Sequence, residues 1–265
     1  MISKSERLLI FRFLFSKKSD GYVSIFAWFS IIGISLGVAA IIIVMSVMNG
    51  FRIDLTNRII GLNSHLNIYS FDNEITNKQA DELILNIDNS FFYQHYKSIE
   101  TNGLIIKSNN SKGVMIKGYD EYDKNHYLFN SINMGALIQN PKSEILIGDS
   151  LANEMNLSVG DKVKIAIPKT DKTILGNIPR FKTLEVVGVF DLGLYEYDSN
   201  LIFLSSELVR KLLLYDEDIY NKIEFFTSSP NEIELFKNKV ELEISSLLLN
   251  FYSISWICLL YTSPS

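Results

Sequence analysis

The residues able to do acid–base, nucleophilic or metal chemistry are few in this chain, and their spacing argues against all three. His65, His95 and His126 lie far apart, without the helical spacing of metal ligands, and read as surface or packing residues. The single cysteine, Cys258, excludes a disulfide framework. There is no G-x-x-x-x-G-K-[ST] phosphate cradle and no G-x-S-x-G nucleophile turn. The acidic run Tyr119-Asp120-Glu121-Tyr122-Asp123 has the composition of a solvated loop and not of two carboxylates aimed at a substrate. The chain therefore reads as non-catalytic, with no cofactor and no metal implied.

Residues suited to binding are easier to find. Ser30, Gly33, Gly37 and Ala40 recur every three or four residues in an apolar run, a small-residue face on which a second helix can approach closely in lipid. A second candidate is the segment from Pro168 to Arg180. It is bounded by Pro168 and Pro179, carries Ile174, Leu175 and Ile178 among polar residues, and has Arg180 and Lys182 at its base. A connection of that length is more often functional or disordered than a plain link, and apolar residues at its tip cost solvation unless something covers them.

The elements that must hold these residues follow from hydropathy. Thirty-one residues separate Asp20 from Arg52 without a charge, longer than the ~20 apolar residues that span a bilayer as a helix. This makes residues 21–51 a transmembrane helix and leaves 1–20 as a cytoplasmic or interfacial amphipathic segment, opened by a Ser3/Glu6 capping box. Lys4, Arg7, Arg12, Lys17 and Lys18 precede the run, so the positive-inside rule puts the N-terminus in the cytoplasm and the rest outside. The run is also about twice the length of a signal-peptide core and lacks a small-x-small cleavage site. A formal charge of −5 over 265 residues gives no reason to expect nucleic acid.

Residues 52–256 show mixed patterning that predicts a single α+β domain. The expected strands are His65–Tyr69, Leu104–Lys107 with Val114–Lys117, Glu144–Ile147, Lys162–Ile167, Leu184–Phe190, Leu201–Leu204 and Lys222–Phe226, in a mixed sheet that could be split in two. The expected helices are Asn77–Leu85 behind a Thr76/Gln79 box, Asp149–Asn156, Ser206–Leu214, and Pro230 to about Leu249.

Several ordered blocks resemble the LolC/LolE permease subunits of the bacterial lipoprotein-releasing ABC transporter, within the MacB-type group. They are Ile31-Ile32-Gly33-Ile34-Ser35-Leu36-Gly37-Val38-Ala39-Ala40, Val44-Met45-Ser46-Val47-Met48-Asn49-Gly50-Phe51, Ile116-Lys117-Gly118-Tyr119-Asp120, Ile147-Gly148-Asp149-Ser150-Leu151-Ala152, Leu157-Ser158-Val159-Gly160-Asp161, and the stretch from Val187 to Asp198. The resemblance implies one long transmembrane helix followed by a mixed α+β MacB-type periplasmic domain in the bacterial inner membrane. It also implies a transporter half that passes lipoproteins to a periplasmic carrier. ATP would be hydrolysed by a separate ABC ATPase subunit, and the partner permease would be a second subunit or another copy in a homodimer.

On that reading Val44, Met45, Met48 and Phe51 contact lipoprotein acyl chains, for which methionine's flexible, polarizable side chain is suited. Pro168, Ile174, Leu175, Ile178, Pro179, Arg180 and Lys182 occupy the place of a hook that recruits the carrier. Family members continue into three more membrane helices and a segment contacting the ATPase. Residues 257–265 are an atypical tail unlike that continuation, so the chain reads as truncated. The competing readings are a MacB/FtsX-like membrane regulator that transmits ATPase motion to a periplasmic partner, and a single-pass anchored binding protein.

Overall fold

The structure is a computed structural model and describes residues 21–62, 64–87, 90–122, 126–173 and 176–261. The segment 1–20, with its expected capping box and interfacial helix, lies outside the described residues, as do Ile174 and Leu175. The chain divides after Asn57 into two compact units.

The first unit is built on helix α1, Gly21–Leu62. Its apolar part, Ile25–Phe51, runs for 27 residues and contains an 18-residue window of mean hydropathy 2.7; it makes about 40 Å of helix, enough to cross ~30 Å of hydrocarbon with tilt. The helix does not end at Phe51, where the apolar run stops. It continues through Arg52 to Leu62, because that stretch contains no proline and its one glycine, Gly61, falls at the end.

The second unit is a mixed α+β domain. Its strands are β1 (Leu66–Ser70), β2 (Ile75–Thr76), β3 (Gln94–Lys107), β4 (Asn110–Tyr119), β5 (Ile132–Gly135) and β6 (Glu144–Gly148), followed by β7 (Lys162–Thr173), β8 (Gly176–Phe190), β9 (Leu201–Ser205), β10 (Ile219–Tyr220), β11 (Lys222–Phe226) and β12 (Phe251–Ser255). Its helices are α2 (Asn77–Asn86), α3 (Asp149–Met155), α4 (Tyr195–Asn200), α5 (Ser206–Leu213), α6 (Ile233–Ser246) and α7 (Trp256–Tyr261).

Ten strands form one connected sheet in the order β12-β1-β11-β3-β4-β9-β6-β8-β5, and β7 pairs with both β3 and β8; β2 and β10 form a separate pair. The sheet is mixed, as expected, with β4–β9 and β6–β8 parallel. It is not split in two. Because β7 bridges β3 and β8, the strands β3-β4-β9-β6-β8-β7 close on themselves.

Alternation along these strands supplies the core. Ile105, Val114, Ile116, Ile147, Val163, Ile165, Val186 and Ile202 pack with Leu208 and Leu212 of α5 and with Leu151 and Met155 of α3. At the other end of the sheet, Leu66, Ile68, Ile223 and Phe225 pack under Leu83 of α2 and Phe236 and Val240 of α6. The expected cap of α2 forms, and α5 has a cap not expected from the sequence. Thr76 and Gln79 make a reciprocal box at the start of α2, and Leu208 N donates to Ser205 Oγ at 3.2 Å to open α5. The helix expected from Pro230 starts as a 3₁₀ turn, Pro230–Glu232, and stops at Ser246, short of Leu249. The chain beyond it turns through Leu248 at φ 53.

Candidate functional site

The segment 168–180 is not a loose connection. β7 and β8 continue through it as an antiparallel ribbon, with Thr170 opposite Pro179, Asp171 opposite Ile178, Lys172 opposite Asn177 and Thr173 opposite Gly176. The strands expected to end at Ile167 and begin at Leu184 are therefore longer by six and eight residues. A register shift between Ile167 and Thr170 takes up Pro168, since a proline without an N–H is tolerated at a bulge or on an unshared edge. β3 pairs with β7 only as far as Ala166, and β6 meets β8 only from Glu185. Between those points the two strands pair, among the described residues, only with each other.

The ribbon's root carries the two cations singled out in the sequence. Arg180 lies opposite Ile167 and Lys182 opposite Ile165, so both share the face of the core residues. Lys182 is exposed. Arg180 is engaged on the protein itself: its Nη1 donates to Lys211 O at 3.0 Å, in the last turn of α5.

On α1, Ser30, Gly33, Gly37, Ala40, Val44, Met48 and Phe51 fall within an arc of about 80° at 100° per residue, and Met45 lies about 60° beyond its edge, off the stripe. The small-residue set and most of the bulky set therefore form one stripe, small toward Ser30 and large toward Phe51. All of these positions are exposed, and a Cβ added at Gly33 or Gly37 would meet nothing within 4 Å.

The acidic run is a solvated loop only in part, with Asp120 and Glu121 exposed beyond the end of β4. β4 extends through Tyr119, which is buried and donates its hydroxyl to Glu224 Oε2 at 2.5 Å. Asp120 accepts from Arg210 Nη2 at 3.1 Å and from the hydroxyls of Ser206 and Tyr220. Burial, followed by the Asp120 hydrogen bond, pushes the Tyr220 hydroxyl up to about 12. Asp120 is thus a tie between β4, α5 and β10.

Behind Tyr119 lies a buried ionic cluster that no sequence motif announces. Glu224 Oε1 is 3.2 Å from Lys117 Nζ and 2.9 Å from Lys222 Nζ, and Lys222 Nζ also reaches Glu100 Oε2 at 2.9 Å. Burial alone would push the Glu224 carboxyl up, but the two ammonium groups and the Tyr119 hydroxyl outweigh it and hold it far below the carboxylate range. Lys222 is raised well above the ordinary lysine value, because Glu224 and Glu100 outweigh its own desolvation. Two cations and two anions balance, an arrangement that ties β3, β4 and β11 together.

Of the histidines, His65 and His126 are buried and each accepts a backbone N–H, from Thr227 at 2.8 Å and Leu128 at 3.3 Å, whereas His95 is exposed. No group of three metal-ligating side chains occurs among the described residues. What the described residues offer instead is an apolar helix with one graded stripe, and a domain from which a two-stranded ribbon departs.

A family profile described as the MacB-like periplasmic core domain matches residues 27–241. The chain belongs to that family. Among relatives, it is 29% identical to the lipoprotein-releasing system transmembrane protein LolC of Neisseria meningitidis serogroup B over 213 residues, 78% of this chain and 51% of that one. It is 25% identical to the protein LolE of the same system from Haemophilus influenzae over 226 residues, 83% and 54% of the two chains. The chain thus spans about half the length of these relatives. The periplasmic region of MacB from Actinobacillus actinomycetemcomitans aligns with a TM-score of 0.48 at 15% identity, over 77% of this chain and 94% of that one. The MacB-like match covers most of α1 and continues into α6, so it takes in both the graded stripe and the ribbon.

Proposed function

We propose that this chain is the N-terminal part of an inner-membrane permease subunit of an ABC transporter that releases lipoproteins to a periplasmic carrier, with ATP hydrolysed by a separate subunit. The observation that carries the reading is the ribbon, a two-stranded projection from a MacB-like domain in a chain whose relatives are named as lipoprotein-releasing proteins. Under this reading the N-terminus is cytoplasmic and the second unit periplasmic. The stripe on α1 supports it physically. Gly33 and Gly37 let a helix of the second permease subunit come close, while Val44, Met48 and Phe51 hold the helices apart toward the periplasm and leave an apolar gap for acyl chains.

In sequence, Ile174 and Leu175 are the only residues between Thr173 and Gly176, which pair with each other. We assign them, with Pro168, Ile178 and Pro179, to the carrier's lipid-binding cavity, and Lys182 to its rim, where a cation steers association more than it adds affinity. The test is co-purification of the carrier with the full-length subunit carrying Ile174→Asp and Leu175→Asp. Loss of the carrier with an unchanged Tm is the expected result. Retention at the wild-type level overturns the ribbon's role. In cells, depletion of the subunit should leave lipoproteins in the inner membrane, and their normal sorting on depletion would favour a regulator over a transporter.

A further inference from the structure

The ribbon's direction is set at its root, and one side chain is placed to set it. Beyond Ala166 on β7 and before Glu185 on β8, no third strand supports the two strands among the described residues. A free two-stranded ribbon twists and pivots readily. At the last core pair, Ile167 opposite Arg180, the Arg180 guanidinium crosses to α5 and donates to Lys211 O at 3.0 Å. That carbonyl belongs to the final turn of the helix, where carbonyls lack helical partners and the helix dipole favours a cation. The helix ends there in a left-handed Leu214, φ 57, whose N–H and that of Tyr215 both return to Arg210 O. Lys211 O is left for an outside donor.

The helix that receives Arg180 is itself fixed. Asp120, at the end of β4, holds Ser206 in its first turn and Arg210 in its last. Leu208 and Leu212 are buried in the core that Val163, Ile165 and Ile167 of β7 complete.

We propose that Arg180 is a positioning residue: it latches the root of the ribbon to the C-terminal end of α5 and so fixes the ribbon's angle to the sheet. It does not itself contact a partner. Its consequence for carrier recruitment rests on the function proposed above, because a partner that engages tip and root together binds only the latched ribbon, and its apparent affinity falls with the latched fraction. Lys182, exposed on the same face two residues later, lacks this role and serves as the matched control.

The experiment measures ribbon position directly and needs no carrier. In the full chain with Cys258→Ser, spin labels are placed through Lys172→Cys on the ribbon and Asn153→Cys on α3, and the inter-label distance distribution is recorded by electron–electron double resonance. Against this background, Arg180→Gln should raise the population outside the main distance peak by roughly two- to fivefold, the ratio that a lost cation at a helix terminus produces. Lys182→Gln should leave the distribution unchanged, and Arg180→Lys should restore most of the main peak.

A distribution for Arg180→Gln that superimposes on the parent overturns the proposal, as does equal broadening in Lys182→Gln, which would assign the effect to lost charge. Thermal unfolding of each variant separates a loosened ribbon from a loosened domain: a fall in Tm for Arg180→Gln as large as that of a core variant would make Arg180 a plain stability residue. Carrier co-purification with Arg180→Gln reads the other hypothesis. A ribbon that loosens on Arg180→Gln, in a protein that captures no carrier, keeps the latch and removes the carrier.

Discussion

Replacing Glu224 by Gln tests whether the buried ionic cluster holds the sheet together. The side chain is 1% exposed and its partner Lys117 5%, so neither can turn to water when the other is altered. Glu224 faces two ammonium groups, at 3.2 and 2.9 Å, each a gross attraction of about 5 kcal/mol at an effective dielectric of ~20. Most of that attraction offsets the desolvation of the charges, so the net value of the cluster is small, while the cost of unbalancing it is not. Gln keeps the shape and can still accept from Tyr119. Lys222 retains Glu100 at 2.9 Å, but Lys117 is left as a buried cation. The expected loss is about 3–5 kcal/mol, which for a unit of this size lowers Tm by about 6–20 °C.

Thermal and urea unfolding of the full chain, followed by circular dichroism, measure the loss, and the double variant Lys117→Met with Glu224→Gln sharpens it. Removing both partners takes away the orphaned cation and leaves the Lys222–Glu100 pair balanced. The double variant should therefore be less destabilised than the sum of the single variants by about 1–3 kcal/mol. A loss below about 1 kcal/mol for Glu224→Gln, or strict additivity, refutes the claim that charge balance governs this site. The pH dependence has a fixed sign. Glu224 is depressed, so its contribution is complete above the ordinary carboxylate value of about 4.3 and fades as pH falls below it. Lys222 is raised, so its contribution is complete below about 10.4 and is lost only as pH rises through its higher folded value.

Gly148→Ala should destabilise the domain by more than about 2 kcal/mol in the same unfolding assays, because an added Cβ would lie 2.1 Å from Asp198 O and 2.6 Å from Asp198 Cα, where α4 crosses the end of β6. Ala→Ser substitution at the exposed Ala136 should change Tm little. Asp120→Asn should lower the titration midpoint of Tyr220 from about 12 toward the ordinary ~10, read from tyrosinate absorbance, although burial keeps it from returning fully; an unmoved midpoint would mean that burial alone sets it. Gly37→Leu adds bulk to an open helix face without reducing hydrophobicity, so membrane insertion should persist while co-purification of the second permease subunit falls. Co-purification at the parent level would remove that face as the contact.

How far the structure was legible in the sequence depended on the range over which each feature is encoded. Local signals were reliable: the Thr76/Gln79 box opens α2, the charge-free run is helical throughout, and Lys222–Phe226 has the bounds its alternation gives. The short elements β5 and α4 carry too few residues for periodicity to register. The ribbon was mistaken for a loop because two prolines, two apolar tip residues and scattered lysines imitate turn chemistry. Backbone pairing needs only that the prolines fall where no hydrogen bond is required, and the register shift after Ile167 provides this.

The features that organise the domain were illegible for a different reason. Lys117 meets Glu224 across 107 positions, and Asp120 meets Tyr220 across 100. Lysines and glutamates at those positions look like the ordinary solvent face of an alternating strand. Only the pairing of β11 with β3 and of β3 with β4 places the opposite charges together and removes water from them. The motif Ile116-Lys117-Gly118-Tyr119-Asp120 matched a family without showing why those residues matter together. In three dimensions Lys117 and Tyr119 point to the cluster and Asp120 to α5, while a Cβ at Gly118 would lie 2.9 Å from the Val209 side chain and 3.1 Å from Ser206 Cα. The five residues form one joint between the closed strands and α5, the helix that also receives Arg180 from the ribbon. A perturbation of Asp120 should therefore reach the ribbon through α5, whereas one at Glu224 should lower the stability of the whole domain and leave the ribbon's angle unchanged in the molecules that remain folded.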